Sequence, residues 1–468
     1  MTASEQLAQF AAGSKALPKL CREYKKERAT VHLKELVGGA LSFYAAAAVA
    51  KTGGVHIFVA EDRDAAAYLL NDFYNLLDEK QVYFFPSSYK RSAAYGAEDA
   101  QGVVQRTTAM NAVRGFTKGY LVVCTYPEAL AERVVDAATL QRDTIAVKLG
   151  DKISIAVLED ALADANFTRV DFVYEPGQYS VRGGIVDVFS YSESKPYRID
   201  FFGDEVDSIR RFNISSQLSA DKLDRVEIVP NLNAGEAPRV SFVQFAGSSA
   251  TCWFYDADYV LRRVNDLRRK VLADMEEPGQ IDRLLTSRNV LLRDMAGNSV
   301  VALRDNLPER PATAAVVFDT APQPKFNKNF EMLADDMIRN SLRGYATYIL
   351  SENKVQVERL ENIFHQIGRG QAAVRSLSVT LHEGFVDNDL KLCLYTDHQI
   401  FDRYQRYRIN GEIRRDEQMT VAELNQLRPG DYVVHIDHGV GRFDGLVKIN
   451  ENGKVHEAIK LVYKDGDV

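Results

Sequence analysis

The 468-residue sequence has little cysteine: Cys21, Cys124, Cys252 and Cys393 stand far apart, with no CxxC pair. That excludes a disulfide framework and a cysteine-based zinc site, and a reducing cytoplasm is the expected compartment. No basic leader precedes an apolar run at the N-terminus, and no stretch of about 18 apolar residues occurs anywhere, so neither a secretion signal nor a membrane span is expected. The alanine run Ala45–Ala48 belongs to a helix too short to cross a bilayer. Positive charge is not in excess either. With 58 Lys and Arg against 65 Asp and Glu, the formal charge is -7, which argues against a generally basic nucleic-acid binder and leaves room only for a local patch. The one tryptophan, Trp253, reads as a core ring.

What is present is ordinary globular composition, 46% hydrophobic and 26% charged, enough for three or four domains. Residues 1 to about 30 read as helical, and the charges at Lys25, Lys26 and Arg28 as a solvated helix face. An α/β alternation follows. VHIFVA (55–60), VYFF (82–85) and LVVCTY (121–126) are strands, separated by helices at 64–77 and 101–114, which predicts a mostly parallel sheet covered on both sides. Its first glycine-rich turn is Leu36-Val37-Gly38-Gly39-Ala40-Leu41-Ser42. A phosphate would sit there on backbone N–H groups at a helix start. The turn lacks the lysine followed by Ser or Thr that would hold the β/γ-phosphates and magnesium, so Gly38 and Gly39 read as a tight turn that lets a helix pack closely.

The most informative stretch is Pro176 to Phe212, PGQYSVRGGIVDVFSYSESKPYRIDFFGDEVDSIRRF. Short runs of β-branched and aromatic residues alternate with polar ones and are broken by Gly183-Gly184 and by the cluster from Ser190 to Pro196, the pattern of a small antiparallel sheet. Along Tyr197 to Phe202, the period of two places Tyr197, Ile199 and Phe201 on a core face. Arg198, Asp200 and Phe202 fall on the solvated face. A ring among charges needs a cover, and arginine beside an aromatic is the composition of a protein-binding hot spot, with Arg182 placed to join Arg198 around it. Two covers are open: a partner protein or a neighbouring domain of the same chain.

The blocks PGQYSVRGGIVDVF and PYRIDFFGDEVDSIRRF resemble the UvrA-binding module shared by UvrB and the bacterial transcription-repair coupling factors. The resemblance implies that Arg182, Arg198 and Phe202 engage UvrA. It also implies that Gly38-Gly39 is the degenerate form of UvrB's ATP-binding loop, so that this part is inert as an ATPase. In UvrB an aromatic-rich hairpin follows the third strand, whereas Pro86 to Asp99 here has only Tyr89 and Tyr95.

Beyond the module, strands are expected at 225–229, 251–255 and 314–319, with a long charged helix from Asp256 to about Met275. They look like the second half of the interrupted UvrB-like domain, closed by Ala321 to Phe326. A second α/β piece covers about 345–408. Its Asp387, Asp389 and Asp397 bracket a strand and read as turn and cap residues rather than metal ligands. Residues 410–423 look like a linker.

From Leu424 the character changes. Asn452-Gly453 between two alternating apolar runs is a strong hairpin signal, and repeated short strands with glycine corners imply a small barrel. His435-x-x-His438 lacks further ligands at zinc spacing and reads as structural. VVHIDHGVGRF resembles the RNA-polymerase-interacting domain of the coupling factors, a Tudor-like barrel shared with CarD-type regulators. The resemblance implies that the run Leu446, Val447, Lys448 and Ile449 is an edge strand for the polymerase β subunit, with Ile449 as the hydrophobic contact. The barrel pattern stops at Val468, and the family continues into a DNA translocase motor and a C-terminal domain, so an N-terminal fragment is expected.

The expected architecture is therefore an α/β multidomain chain. A UvrB-like parallel domain with a degenerate P-loop (1–150 and 214–343) is interrupted by an antiparallel α+β module (151–213). A small α/β domain (344–409), a linker (410–423) and a Tudor-like β-barrel (424–468) follow. The expected function is a monomeric adaptor of transcription-coupled repair that binds UvrA and RNA polymerase. It has no catalytic residue, metal or cofactor of its own; ATP, Mg and most DNA contact belong to the motor. The competing readings are a UvrB-like ATP- and DNA-binding enzyme and a CarD-type transcription regulator.

Overall fold

The computed structural model describes residues 2–89, 99–214, 216–233, 237–275, 278–405, 407–409, 430–435, 439–451 and 454–463. The chain divides into two compact units, Met1–Glu412 and Ile413–Val468.

The first unit is built on a seven-stranded sheet in which every neighbouring pair is parallel. Its strand order is Ala314–Val317, Thr30–Lys34, Ser299–Ala302, Thr251–Phe254, Gly54–Val59, Tyr120–Thr125 and Val82–Phe84. Strands from before and after residues 145–228 thus interleave in one sheet, so this domain is discontinuous. Parallel neighbours need crossovers, and the helices Ala40–Thr52, Arg63–Leu76, Ala100–Arg114 and Ala257–Asp274 supply buried faces around the sheet. This is why VHIFVA is almost uninterruptedly apolar: Val55, Ile57, Phe58 and Val59 are all buried. Asp62 and Asp256 cap their helices by accepting from the N–H of Ala65 and Tyr259. Trp253 is a core ring, as expected, and its Nε1–H donates to Nδ1 of His56 at 3.1 Å.

The inserted module is a six-stranded sheet whose spatial order follows the sequence from Thr168–Arg169 to Ser219–Leu223. All its pairs are antiparallel except the first. Helix Ile155–Asp164, capped by Ser154, buries Leu158 and Leu162 in the module core. The module reaches further than 151–213. Ile145–Lys148 pairs antiparallel with Arg225–Ile228, and Val147, Val226 and Ile228 belong to the same core.

A second sheet has the order Thr320–Pro322, Phe385–Asp387, Leu392–Thr396, Ala346–Leu350 and Ser376–Leu377. Ala321 to Phe326, expected to close the first domain, belongs here instead: Thr320–Pro322 is an edge strand of this sheet, and Phe326 and helix Phe330–Leu342 lie on its core. Pro322 is tolerated because an edge strand leaves one side of its backbone unpaired.

The second unit is a three-stranded antiparallel sheet of Tyr432–His435, Gly439–Glu451 and Lys454–Val462. Glu451 pairs with Lys454, the hairpin expected around Asn452-Gly453. The expected linker at 410–423, Tyr95 and His438 lie outside the described residues. Among the described residues no helix is long and apolar enough to cross a membrane.

Candidate functional site

The face of the module sheet that carries Arg198 is set by its register. Strand Tyr197–Phe202 buries Tyr197 and Ile199 and leaves Arg198 and Asp200 half-buried, as a period of two requires. The pairing slips between Asp200 and Phe201, so Phe201 is only half-buried. Phe202 then ends the strand opposite Glu205, across the two-residue turn Gly203-Asp204, where Gly203 has a φ of 63°. At 85% exposure, the Phe202 ring is uncovered within its own unit.

The arginines are arranged differently from the expectation that they gather around that ring. Ser180, Asp187 and Arg198 lie in one row across three strands. The Asp187 carboxylate is 1% exposed and holds both arginines. Arg198 donates from Nε to Oδ1 at 2.7 Å and from Nη2 to Oδ2 at 2.8 Å, and Arg182 donates from Nη2 to Oδ2 at 2.5 Å. A buried carboxylate left unpaired costs several kcal/mol, and this requirement draws both guanidinium groups away from Phe202. Arg198 is held further by Phe212, 4.4 Å beneath its guanidinium, and by the Gln217 carbonyl. Its hydrogen bonds to Asp187 raise its pKa above the ordinary arginine value.

Arg182 is more open and stacks at 4.8 Å on Phe172, a half-exposed ring in the preceding loop that sequence reasoning passed over. The signal was available in the alternation Phe172, Val173, Tyr174: Val173 is buried and the two rings that flank it are exposed. On the same face, Ser208 and Arg210 donate to Asp200. The result is a lattice of three arginines on two carboxylates, flanked by the exposed rings Phe172 and Phe202. Such a surface can dock a protein through aromatic anchors and fixed charge.

The Gly38-Gly39 turn opens helix Ala40–Thr52, and Gly38 has a φ of 57°. A Cβ on Gly39 would lie 2.1 Å from the Glu383 carbonyl oxygen. The close approach is therefore to the loop at 381–384 of the second sheet rather than to the first sheet. Beside this turn is a cavity of about 340 Å³ lined by Ser42, Glu61, Asp72, Trp253, His382 and Glu383 among others, with no Lys or Arg in its wall. Asp72 accepts from Ser42 Oγ and from the His382 N–H, each at 2.7 Å, and burial pushes its carboxyl up to about 7. A triphosphate here would face three carboxyl groups and no cation.

Asp387, expected as a turn residue, does accept from the Leu390 N–H, but it is also buried and accepts from the Tyr44 hydroxyl at 2.5 Å. Asp397 accepts from Ser351 Oγ and Arg403.

In the second unit, Leu446 to Ile449 pair with Ile459 to His456. Strand Tyr432–His435 pairs only as far along as Arg442, so among the described residues the other edge of 446–449 carries no strand. Gly445, at a φ of 102°, sits in the register break between Phe443 and Leu446. Of the four expected contact residues the structure describes the side chain of Val447, which is exposed; Tyr432 and Val440, also exposed, were not singled out from the sequence.

Comparison with known proteins adds two domain matches and a set of relatives. Residues 145–233 match the UvrB interaction domain, and residues 427–468 match the CarD-like/TRCF RID domain. The chain is 23% identical to the transcription-repair-coupling factor of Bacillus subtilis (strain 168), an alignment that covers 93% of this chain and 43% of the relative. It is 22% identical to that of Staphylococcus epidermidis (strain ATCC 12228 / FDA PCI 1200), over 85% of this chain and 40% of the relative. The chain thus spans about two-fifths of the length of the curated relatives it matches. The resemblance read from the sequence is borne out, and the first of the two matched domains coincides with the wider module, 145–228, seen in the fold.

Proposed function

From a chain related to the transcription-repair-coupling factors and carrying both of those domains, we propose an adaptor that joins stalled RNA polymerase to excision repair. The observation that carries this reading is Phe202, an aromatic ring 85% exposed at a hairpin tip beside a rigid arginine–carboxylate lattice, inside the domain matched as the UvrB interaction domain. Arg182, Phe172 and Phe202 form the UvrA-facing surface, and Arg198 positions it by holding Asp187. The open edge at Leu446 to Ile449 adds a strand to the polymerase β subunit, where main-chain hydrogen bonds give affinity and alternate side chains give specificity. In this reading the second unit has the Tudor-like barrel fold of the polymerase-interacting domains it resembles.

The parallel domain is a scaffold in this reading. Its glycine turn is pressed by the 381–384 backbone and its cavity is acid-lined, which supports the loss of nucleotide handling. ATP and Mg act in a translocase motor elsewhere in the whole protein, which works in the cytoplasm as a monomer. The test is calorimetric titration of the chain with purified UvrA, with polymerase β subunit and with ATP. Saturable binding of the two proteins and none of ATP is expected; tight ATP binding with no UvrA binding overturns the adaptor reading in favour of a UvrB-like enzyme.

A further inference from the structure

The surface around the second helix is used by none of the sites above. Residues 15–28, KALPKLCREYKKER, hold six cations and two glutamates in a chain of net charge -7. Helix Ala16–Tyr24 buries Leu17, Leu20, Cys21 and Tyr24 against the large core, which turns Lys19 and Arg22 outward, and Lys15, Lys25, Lys26 and Arg28 are exposed beside them. Glu23 is buried and taken up by Arg22 and Lys26, so Glu27 is the exposed carboxylate of the segment.

Two further turns bring cations to the same place. Lys25 Nζ donates to the Gly53 carbonyl, two residues after the exposed Lys51, and the Gly54 N–H donates to the Gly119 carbonyl, directly after the exposed Lys118. The C-terminal end of helix Ala16–Tyr24 and the turns that follow Lys51 and Lys118 therefore meet at one end of the parallel sheet, and the three segments together carry eight exposed cations.

The composition of this surface selects its partner. Interfaces between proteins are depleted in lysine and anchored by aromatic residues, but the exposed large apolar side chains in the described part of the chain begin only at Val37. Lysine and arginine without apolar anchors is the composition that neutralises phosphates along a nucleic-acid backbone. We propose that this surface, formed by helix Ala16–Tyr24, the turn after it and the Gly53 and Gly119 turns, grips the phosphate backbone of duplex DNA without regard to sequence.

The test uses the full 468-residue chain and a short fluorescent DNA duplex of arbitrary sequence, read by anisotropy between about 50 and 200 mM salt. The variant replaces Lys15, Lys19, Lys51 and Lys118 by Glu, residues chosen because they leave the Glu23 pairs intact. A control variant replaces Lys222, Lys270, Lys325 and Lys354, which are exposed elsewhere, for the same change in net charge. The wild-type chain is expected to bind with a strong salt dependence. The first variant should lose tenfold or more in affinity, with the slope of log K against log salt shallower by about 3 or 4, and the control should stay within a few-fold. No wild-type binding at low salt, or an equal loss in both variants, overturns the proposal. Displacement of the duplex by poly-glutamate at equal charge concentration also overturns it, since the surface would then be a dock for an acidic protein. A matching melting temperature for the two variants separates lost contact from lost fold.

Discussion

Arg198 grips Asp187 through both carboxylate oxygens, at 2.7 and 2.8 Å, on neighbouring strands of the inserted module. The pair is a structural fastening as much as a surface feature, because Asp187 has almost no contact with water.

Arg198→Ala should therefore act on the fold first. It removes a charge-assisted bidentate bond and leaves a buried carboxylate with Arg182 alone, a loss of about 2–3 kcal/mol of module stability. Arg198→Lys keeps the charge but not the planar fork and should recover only part of this. Urea unfolding followed by a module-specific probe checks it; a wild-type midpoint in Arg198→Ala would show that the pair contributes nothing.

Phe202→Ala should do the opposite. The ring touches little of its own unit, so the change in stability should lie within about 0.5 kcal/mol. Affinity for UvrA should fall by about 2 kcal/mol or more if the ring fills a pocket on the partner. Comparing the two variants by calorimetry separates a contact residue from a positioning residue: Arg198→Ala weakens binding along with the melting temperature, and Phe202→Ala weakens it alone.

Asp72 gives a pH dependence with a definite sign. Its carboxyl titrates near 3.8 when unfolded and is pushed up to about 7 in the fold by burial. The stability contributed by its neutral form is complete below about 3.8 and is lost as pH rises through about 7, by at most about 4 kcal/mol. Asp72→Asn keeps the shape, and Ser42 Oγ can turn to accept from the new amide. The variant should match wild type near pH 4 and be the more stable protein at pH 8. Melting curves across that range check it, and a constant difference at all pH values would count against the assignment.

These residues also show what the sequence could reveal. The strand 54–59 was legible because both of its faces are covered and its residues are almost all apolar; Thr30–Lys34 was not, being a short run whose neighbours in the sheet lie some 270 residues or more away in the chain. The exposure of Phe202 followed from a period of two that needs no tertiary knowledge. The role of Asp187 did not, because a carboxylate shared by Arg182 and Arg198 becomes visible only once the register of three strands is fixed. The expectation that Ala321 to Phe326 closes the first domain fails for a related reason: nothing local to Thr320–Pro322 reveals that its strand partner is Phe385–Asp387, some 65 residues further on.

The second surface supplies a prediction that must be independent of the first. Residues 446–449 pair on one side with 456–459, and among the described residues their other edge is open, so a partner strand has backbone groups to bind. An added strand contributes register-specific side-chain contacts as well as main-chain bonds, and a cation placed among apolar contacts must be desolvated. Ile449→Arg should thus lower affinity for the polymerase β subunit by tenfold or more and leave UvrA binding unchanged. Phe202→Ala should show the reverse pattern, since Phe202 and Ile449 belong to different compact units. Measured side by side against both partners, the two variants form a cross. If either one weakened both partners equally, the two faces would not be separate sites and the adaptor reading would fail at its central step.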